Sequence, residues 1–202
     1  IGATGKAGNL IMAEALKRNL DVTAIVRHPE RLQAKVPYLQ KDLFALTQAD
    51  LINFDIVIDA FNAPVGQEEM HLSSIKHLID LLTGTAVRLM VVGGAGSLYV
   101  APDVQLVDAP DFPDAFKPTA SMMRDGLQLL ENSHDLKWTY ISPAADFRFA
   151  GARTGKYRLG TRDLPVNQAG QSVVSYADYA QAFIDEAVAA KHLNQQISVV
   201  SQ

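Results

Sequence analysis

The sequence contains no cysteine. Disulfide staples, thiolate nucleophiles and zinc–cysteine sites are excluded together. It also lacks a cationic excess: 18 Lys and Arg stand against 22 Asp and Glu, a formal charge of −4. That balance offers no footprint for nucleic acid or for an anionic membrane. No apolar run approaches the roughly 18 residues that span a bilayer, and no secretory pattern opens the chain. The five histidines (His28, His71, His77, His134 and His192) lack the spacing of metal ligands. No metal site is expected. What remains is the expectation of a soluble, cytoplasmic domain, whose 202 residues and 48% hydrophobic content suit one substantial core.

What is present is an alternation of two periodicities. Asn9 to Asn19 reads as a helix, then Val22–Val26 as a buried strand rich in β-branched residues. A weaker strand falls near Tyr38–Gln40 and a stronger one over Phe54–Ala60. Glu68 to Leu82 has the helical period, and Val87–Val92 is again strand, ending at Gly93-Gly94-Ala95-Gly96. Pro102, Pro110, Pro113 and Pro118 predict a long loop over 101–118. A helix follows over Thr119–Ser133, then the strand Trp138–Ile141 and a mixed, glycine-punctuated stretch over 146–174. Ser175 and Asp178 form a start signal for a helix over Tyr176–Ala190, and Ile197–Val200 closes as a strand. Strands and helices in this order predict a single α/β domain with a doubly wound parallel sheet. Residues 97–118 and 146–174 would then be pocket segments at the strand ends, where such sheets bind ligands.

The chain begins Ile1-Gly2-Ala3-Thr4-Gly5-Lys6-Ala7-Gly8, already inside a glycine-rich turn. Such a turn needs a strand in front of it, so further apolar residues are expected before Ile1. Gly2, Gly5 and Gly8, set between a strand remnant and a helix, match the dinucleotide fingerprint. The first glycine permits a tight turn, the second a close approach to pyrophosphate, and the third close packing of helix on sheet. Gly2, Thr4, Gly5, Lys6, Ala7 and Gly8 are thus candidate cofactor-binding residues, with the helix N-terminus offering free N–H groups to phosphate. A plain βα turn is the simpler alternative. At the end of the second strand, where NAD sites carry Asp or Glu, stands Arg27, nineteen residues after Gly8. A guanidinium suits a 2′-phosphate, so NADP(H) is favoured over NAD(H), with His28 or Arg31 as helpers. Against this stand a simply solvated Arg27 and an acidic role for Glu30.

The acid–base apparatus of carbonyl reduction is missing. Four residues beyond the six tyrosines stand Asp42, Asp103, Ala144, Thr161, Ala180 and Phe183, so there is no Tyr-x-x-x-Lys pair. Ser97 is no nucleophile elbow, because Ala95 and Tyr99 occupy the positions that need glycine. Hydride transfer to a flavin or quinone needs less apparatus, since the receiving ring is already electrophilic and its protons come from solvent or a weak donor.

These residues resemble the NADH-flavin reductases among the atypical short-chain dehydrogenase relatives, a group related to biliverdin-IXβ/flavin reductases and NmrA-like proteins. The resemblance covers nearly the whole chain. It is carried by the glycine turn, Val26-Arg27, Lys41-Asp42, Asp59-Ala60-Phe61 and Val91-Val92-Gly93-Gly94-Ala95-Gly96-Ser97-Leu98. Later segments are Trp138–Ala144, Arg153-Thr154-Gly155-Lys156-Tyr157 and Ser175–Ala180. It implies that Asp42 and Leu43 flank the adenine and that Phe61 and Asn62 line the path to the nicotinamide ribose. Ser97 would lie beside the nicotinamide as the catalytic hydroxyl. The plainer readings are a solvated carboxylate for Asp42, core packing for Phe61 and a loop hydroxyl bonded to local backbone for Ser97.

The resulting expectation is an NAD(P)H-dependent oxidoreductase of Rossmann type that passes hydride to a planar small-molecule acceptor, with FMN or FAD as substrate. Tyr99, Phe147 and Tyr157 are candidates to stack on the acceptor ring. The rivals are a non-catalytic NmrA-like redox sensor and, more remotely, a nucleotide-sugar epimerase or dehydratase. Nothing in the pattern specifies an oligomer.

Overall fold

A computed structural model describes all of residues 1–202. After the glycine turn come α1 (Lys6–Lys17), β1 (Ala24–Val26), β2 (Tyr38–Gln40), a short α2 (Gln48–Leu51), β3 (Ile56–Asp59), α3 (Met70–Leu82) and β4 (Arg88–Val92). A hairpin of β5 (Tyr99–Ala101) and β6 (Val104–Gln105) leads to α4 (Lys117–Glu131) and β7 (Lys137–Pro143). The rest comprises β8 (Asp146–Arg148), β9 (Tyr157–Gly160), β10 (Val173–Ser175), α5 (Tyr176–Ala189) and β11 (Gln195–Ser201).

The main sheet has the order β3-β4-β7-β11-β9, and a second parallel pair is formed by β1 and β2. Ile1 and Gly2 join the two. The Ile1 nitrogen donates to Ile58 O (2.7 Å), Ala60 N–H to Ile1 O (3.2 Å) and Gly2 N–H to Ile25 O (3.3 Å). The first two residues thus hold a strand's place between β1 and β3, and the order reverses direction there, as in a doubly wound fold. One core on one face joins Ile75, Leu78 and Leu82 of α3 to Leu127 and Leu130 of α4 over Leu89 and Trp138. A second core joins Ile11 and Ala15 of α1 to Phe183 and Ile184 of α5 over Met90, Ile141 and Val199.

Four features differ from the sequence reading. The sheet is mostly rather than wholly parallel, since β9 pairs antiparallel with β11. Residues 101–118 are not all loop: they contribute to the β5–β6 hairpin and two 3-10 turns, and α4 begins at Lys117 with Pro118 in its first turn. Proline is tolerated there because the first helical N–H groups have no partner to lose. The helix α1 begins at Lys6, three residues earlier than its apolar stripe suggests. Helix α2 was not anticipated; Thr47 N–H donates to the Asp50 carboxylate (2.8 Å) to start it.

At the sheet end opposite the glycine turn lies a buried ion pair. Arg88 opens β4, and its Nη2 lies 2.6 Å from Glu186 Oε1 on α5, with side chains 6% and 1% exposed. Burial pushes the Glu186 carboxyl up, but bonds from His192 and Arg88 outweigh it and hold the group below its ordinary range. Removing one partner strands the other charge in the interior. Glu186→Ala is expected to lower unfolding free energy by about 3–5 kcal/mol, read from urea denaturation; a loss under about 1 kcal/mol would show that solvent reaches Arg88.

Candidate functional site

The glycine turn is built by three backbone crossings. Gly2 has φ +75°, and a Cβ on it would lie 2.5 Å from Ala60 O, at the end of β3. A Cβ on Gly8 would lie 2.3 Å from Gly2 O, and one on Gly5 3.2 Å from the same oxygen. Neither contact at 2.5 Å or below can be relieved by moving a side chain, because both meet backbone. The turn is therefore as narrow as a polypeptide permits, and α1 starts directly from it. No side chain caps that helix, and its first turn carries no acidic residue. Thr4, Gly5 and Lys6 are exposed. Unpartnered N–H groups and the positive end of the helix thus face solvent beside three glycines, the donor set that a pyrophosphate requires.

Arg27 lies just beyond β1, exposed, with Nε 3.9 Å from Asp42 Oδ2. Asp42 accepts from Phe44 N–H (2.9 Å) and so caps the 3-10 turn Leu43–Ala45. The Leu43 side chain is turned into the core, leaving only its backbone for a ligand. His28 pairs with Glu30 at 3.2 Å.

Just beyond β3, Phe61 is partly buried and Asn62 is exposed. They are held by a histidine that no sequence pattern marked. His71, 6% exposed at the start of α3, accepts the Ala63 N–H through Nε2 (3.4 Å), and its ring meets Phe61 edge-on at 6.0 Å. Burial pushes the imidazole below its ordinary pKa, with Glu68 opposing. The neutral ring is the form that accepts this bond.

The segment after β4 turns inward. Tyr140 accepts Gly94 N–H (3.1 Å) and donates to Met123 O (3.2 Å), and burial raises its pKa to about 12. Ser97 is only 1% exposed. Its hydroxyl donates to Gly94 O (3.4 Å) and accepts from Gln196 Nε2 (2.8 Å), which also reaches Ser142 Oγ (3.0 Å). The Ser97 hydroxyl is therefore buried and committed to partners within the protein. Gln196, a β11 residue distant in sequence, carried no signal of its own.

Arg153–Tyr157 forms a strap across α1 and α5. Asp178 accepts Thr154 N–H (2.9 Å), Thr154 Oγ1–H (2.7 Å) and Gly155 N–H (2.8 Å). Arg153 reaches the buried Glu14 of α1 (2.7 Å), which Arg18 also holds (3.0 Å). Burial would raise the Glu14 carboxyl, but the two guanidiniums prevail and keep it low. Tyr157 donates to Asp185, so its ring is committed to the strap. Tyr99 lines a separate open groove with Pro102, Asp163 and Leu164. No cluster of His, Cys, Asp or Glu is placed to hold a metal ion, and no helix is long and apolar enough to cross a membrane.

A narrow phosphate-binding turn at the point where a doubly wound sheet reverses its order defines a dinucleotide-binding protein. The chain belongs to the NAD(P)H-binding family, whose model matches residues 2–189. It is 47% identical to YwnB of Bacillus subtilis, an uncharacterized protein, over all of this chain and 97% of that one. Among solved structures it is similar to a Streptococcus pneumoniae protein provisionally assigned as an NADH-flavin reductase. That likeness has 44% identity and a TM-score of 0.95, covering 99% of this chain and 96% of the other. A Bacteroides thetaiotaomicron protein provisionally assigned as an epimerase is 35% identical with a TM-score of 0.87, covering 99% and 94%.

Two outcomes follow. Gly8→Ala is expected to abolish dinucleotide binding measured by calorimetry, since its methyl group displaces the Gly2 carbonyl; retained affinity would mean that the turn is looser than its geometry. His71 should make stability depend on pH. Above the ordinary imidazole value of 6.5 the ring is neutral in both states and its contribution is complete. Below it the unfolded chain takes up the proton first, so the contribution is lost as pH falls. The stability gap between wild type and His71→Leu should therefore shrink from pH 8 to pH 5.5, whereas an unchanged gap would contradict the assignment.

Proposed function

We propose that the protein is a reductase that uses NADP(H) to reduce a flat conjugated acceptor of the flavin or quinone type. The observation that carries this reading is a cofactor turn with no tyrosine–lysine acid–base pair beside it: Tyr176, whose hydroxyl is free, has Ala180 four residues on rather than a lysine. Tyr140 and Tyr179 are both buried and donate to backbone carbonyls, Met123 O and Ile141 O. Helix α4, which follows the β5–β6 hairpin, has a lysine at its start and no tyrosine. Reduction of a ketone, or epimerisation of a sugar, needs a group to protonate the oxygen; an electron-poor ring does not. The provisional assignment of the pneumococcal relative agrees with this chemistry, and the epimerase assignment of the other relative finds no acid–base pair here to support it.

Bound NADPH would supply a hydride from its nicotinamide ring. The chain's own part is to bind and orient. The first turn of α1 takes the pyrophosphate, and Arg27 takes the 2′-phosphate, leaving its loose contact with Asp42. Phe61 and Asn62, braced by His71, border the nicotinamide ribose. Ser97 is a positioning residue: by tying Gly94 to Gln196 it fixes the Gly93–Ser97 turn that forms the floor.

The test follows nicotinamide absorbance with NADPH and excess FMN, FAD or menadione. Turnover with at least one acceptor is expected, and NADPH binding without oxidation by any of them would instead favour a redox sensor. Arg27→Asp should weaken NADPH binding about tenfold or more, the cost of one charge-assisted contact, and NADH binding far less. Equal losses would overturn the choice of nucleotide.

A further inference from the structure

Next to the glycine turn stands a wall of aromatic rings, Phe147, Phe149 and Tyr176. Phe147 on β8 stacks on Tyr176, the first residue of α5, with ring centroids 3.7 Å apart and planes 8° from parallel. Phe149 meets Tyr176 edge-on at 5.6 Å and 87°. The ammonium of Lys6, inside the glycine turn, lies 5.1 Å from the Phe149 ring centroid. The wall and the glycine turn are therefore in contact through Lys6 and Phe149.

Phe149 is 54% exposed, and it belongs to a cluster of rings that leaves an aromatic surface open to a planar ligand. Its support is firm. Two residues on, a Cβ at Gly151 would lie 2.8 Å from Ser175 Cβ, so the chain presses on the start of α5. The strap then anchors through Arg153 and Thr154. Phe116 is also exposed, but it has no aromatic neighbour and no contact with the turn. Tyr176 adds a polar handle, because its hydroxyl makes no hydrogen bond within the protein, whereas those of Tyr140, Tyr157 and Tyr179 all do.

We infer that Phe149 and Tyr176 form the acceptor subsite and that its ligand is a flavin ring, stacked on Phe149 and hydrogen-bonded through a ring carbonyl to the Tyr176 hydroxyl. The inference rests on the reductase reading and specifies its substrate. A three-ring isoalloxazine is wide enough to cover Phe149 while its carbonyl edge reaches Tyr176, a combination of flat face and polar edge that a naphthoquinone supplies less fully. The step balances without further reagents. The C4–H bond of the dihydronicotinamide breaks, its hydrogen and electron pair pass to flavin N5, and a proton from solvent completes the dihydroflavin as NADP+ forms. Lys6, which covers Phe149, is free to turn to the pyrophosphate when the dinucleotide binds.

The experiment is a fluorescence titration of FMN and riboflavin, with menadione in parallel, against protein saturated with NADP+, so that no turnover intervenes. Wild type, Phe149→Ala, Phe149→Tyr and Tyr176→Phe are compared. Loss of one stacked ring weakens binding about tenfold. Phe149→Ala should therefore lose that much affinity for both flavins, Phe149→Tyr should keep it, and NADP+ affinity should stay within about twofold. Unchanged flavin affinity in Phe149→Ala overturns the subsite, as does failure of wild type to bind either flavin. A loss confined to menadione overturns the choice of ligand. Flavin binding that depends on Phe149 without NADPH oxidation would sustain the subsite and sink the reductase reading. Oxidation with unaltered flavin affinity in Phe149→Ala would do the reverse.

Discussion

The architecture depends on one steric constraint, the crossing of backbone over backbone at Gly2, Gly8 and Ala60. The would-be Cβ atoms at Gly2 and Gly8 come within 2.5 Å and 2.3 Å of carbonyl oxygens. This crossing lets α1 leave the sheet without an intervening loop, so its free N–H groups open at the strand ends rather than beyond them. It also brings Ile1 and Gly2 between β1 and β3, which turns two blocks of sheet into one surface. Helix packing on both faces, the reversal of strand order and the position of the phosphate site all follow from that junction.

Around it the protein is braced from both sides. On one, α3 supplies His71 under the Ala60–Ala63 segment. On the other, Glu14 of α1 is gripped by Arg18 and Arg153, so the helix that leaves the glycine turn is tied to the strap that follows the Phe147–Phe149 rings. A buried carboxylate is costly alone, and here two guanidiniums hold it ionised. The gain is preorganisation: the residues that would meet dinucleotide and acceptor are placed before either arrives.

How much was legible in the sequence divides by range. The glycine turn, the alternation of strands and helices and the Ser175 cap at Asp178 N–H are local patterns, and each reads directly from neighbouring residues. The antiparallel course of β9 is not local: its four residues show no direction, and only pairing with β11 sets it. Glu14, His71 and Gln196 were invisible for a related reason. Each is an ordinary polar residue on a helix or strand until a distant group meets it. For Glu14 that group is Arg153, 139 residues away, and for Gln196 it is Ser97, 99 residues away. The resemblance puts Ser97 beside the nicotinamide because the motif specifies the turn, whereas the burial of its hydroxyl is set by bonds to Gly94 O and to the distant Gln196. Phe149 escaped notice because one exposed ring in a glycine-punctuated stretch has no pattern; its neighbours Tyr176 and Lys6 come from opposite ends of the chain.

The outer strand β2 has a consequence of another kind. A sheet of this width ends in backbone groups able to recruit a strand from a neighbouring molecule. Here that margin is only three residues long, Tyr38–Gln40, entered through Pro37, which has no N–H to offer, and left through Lys41, whose ammonium is tied to Asp50 at 2.7 Å. The ladder stops before a second chain could find register on it. At that margin the protein is a poor template for its own aggregation.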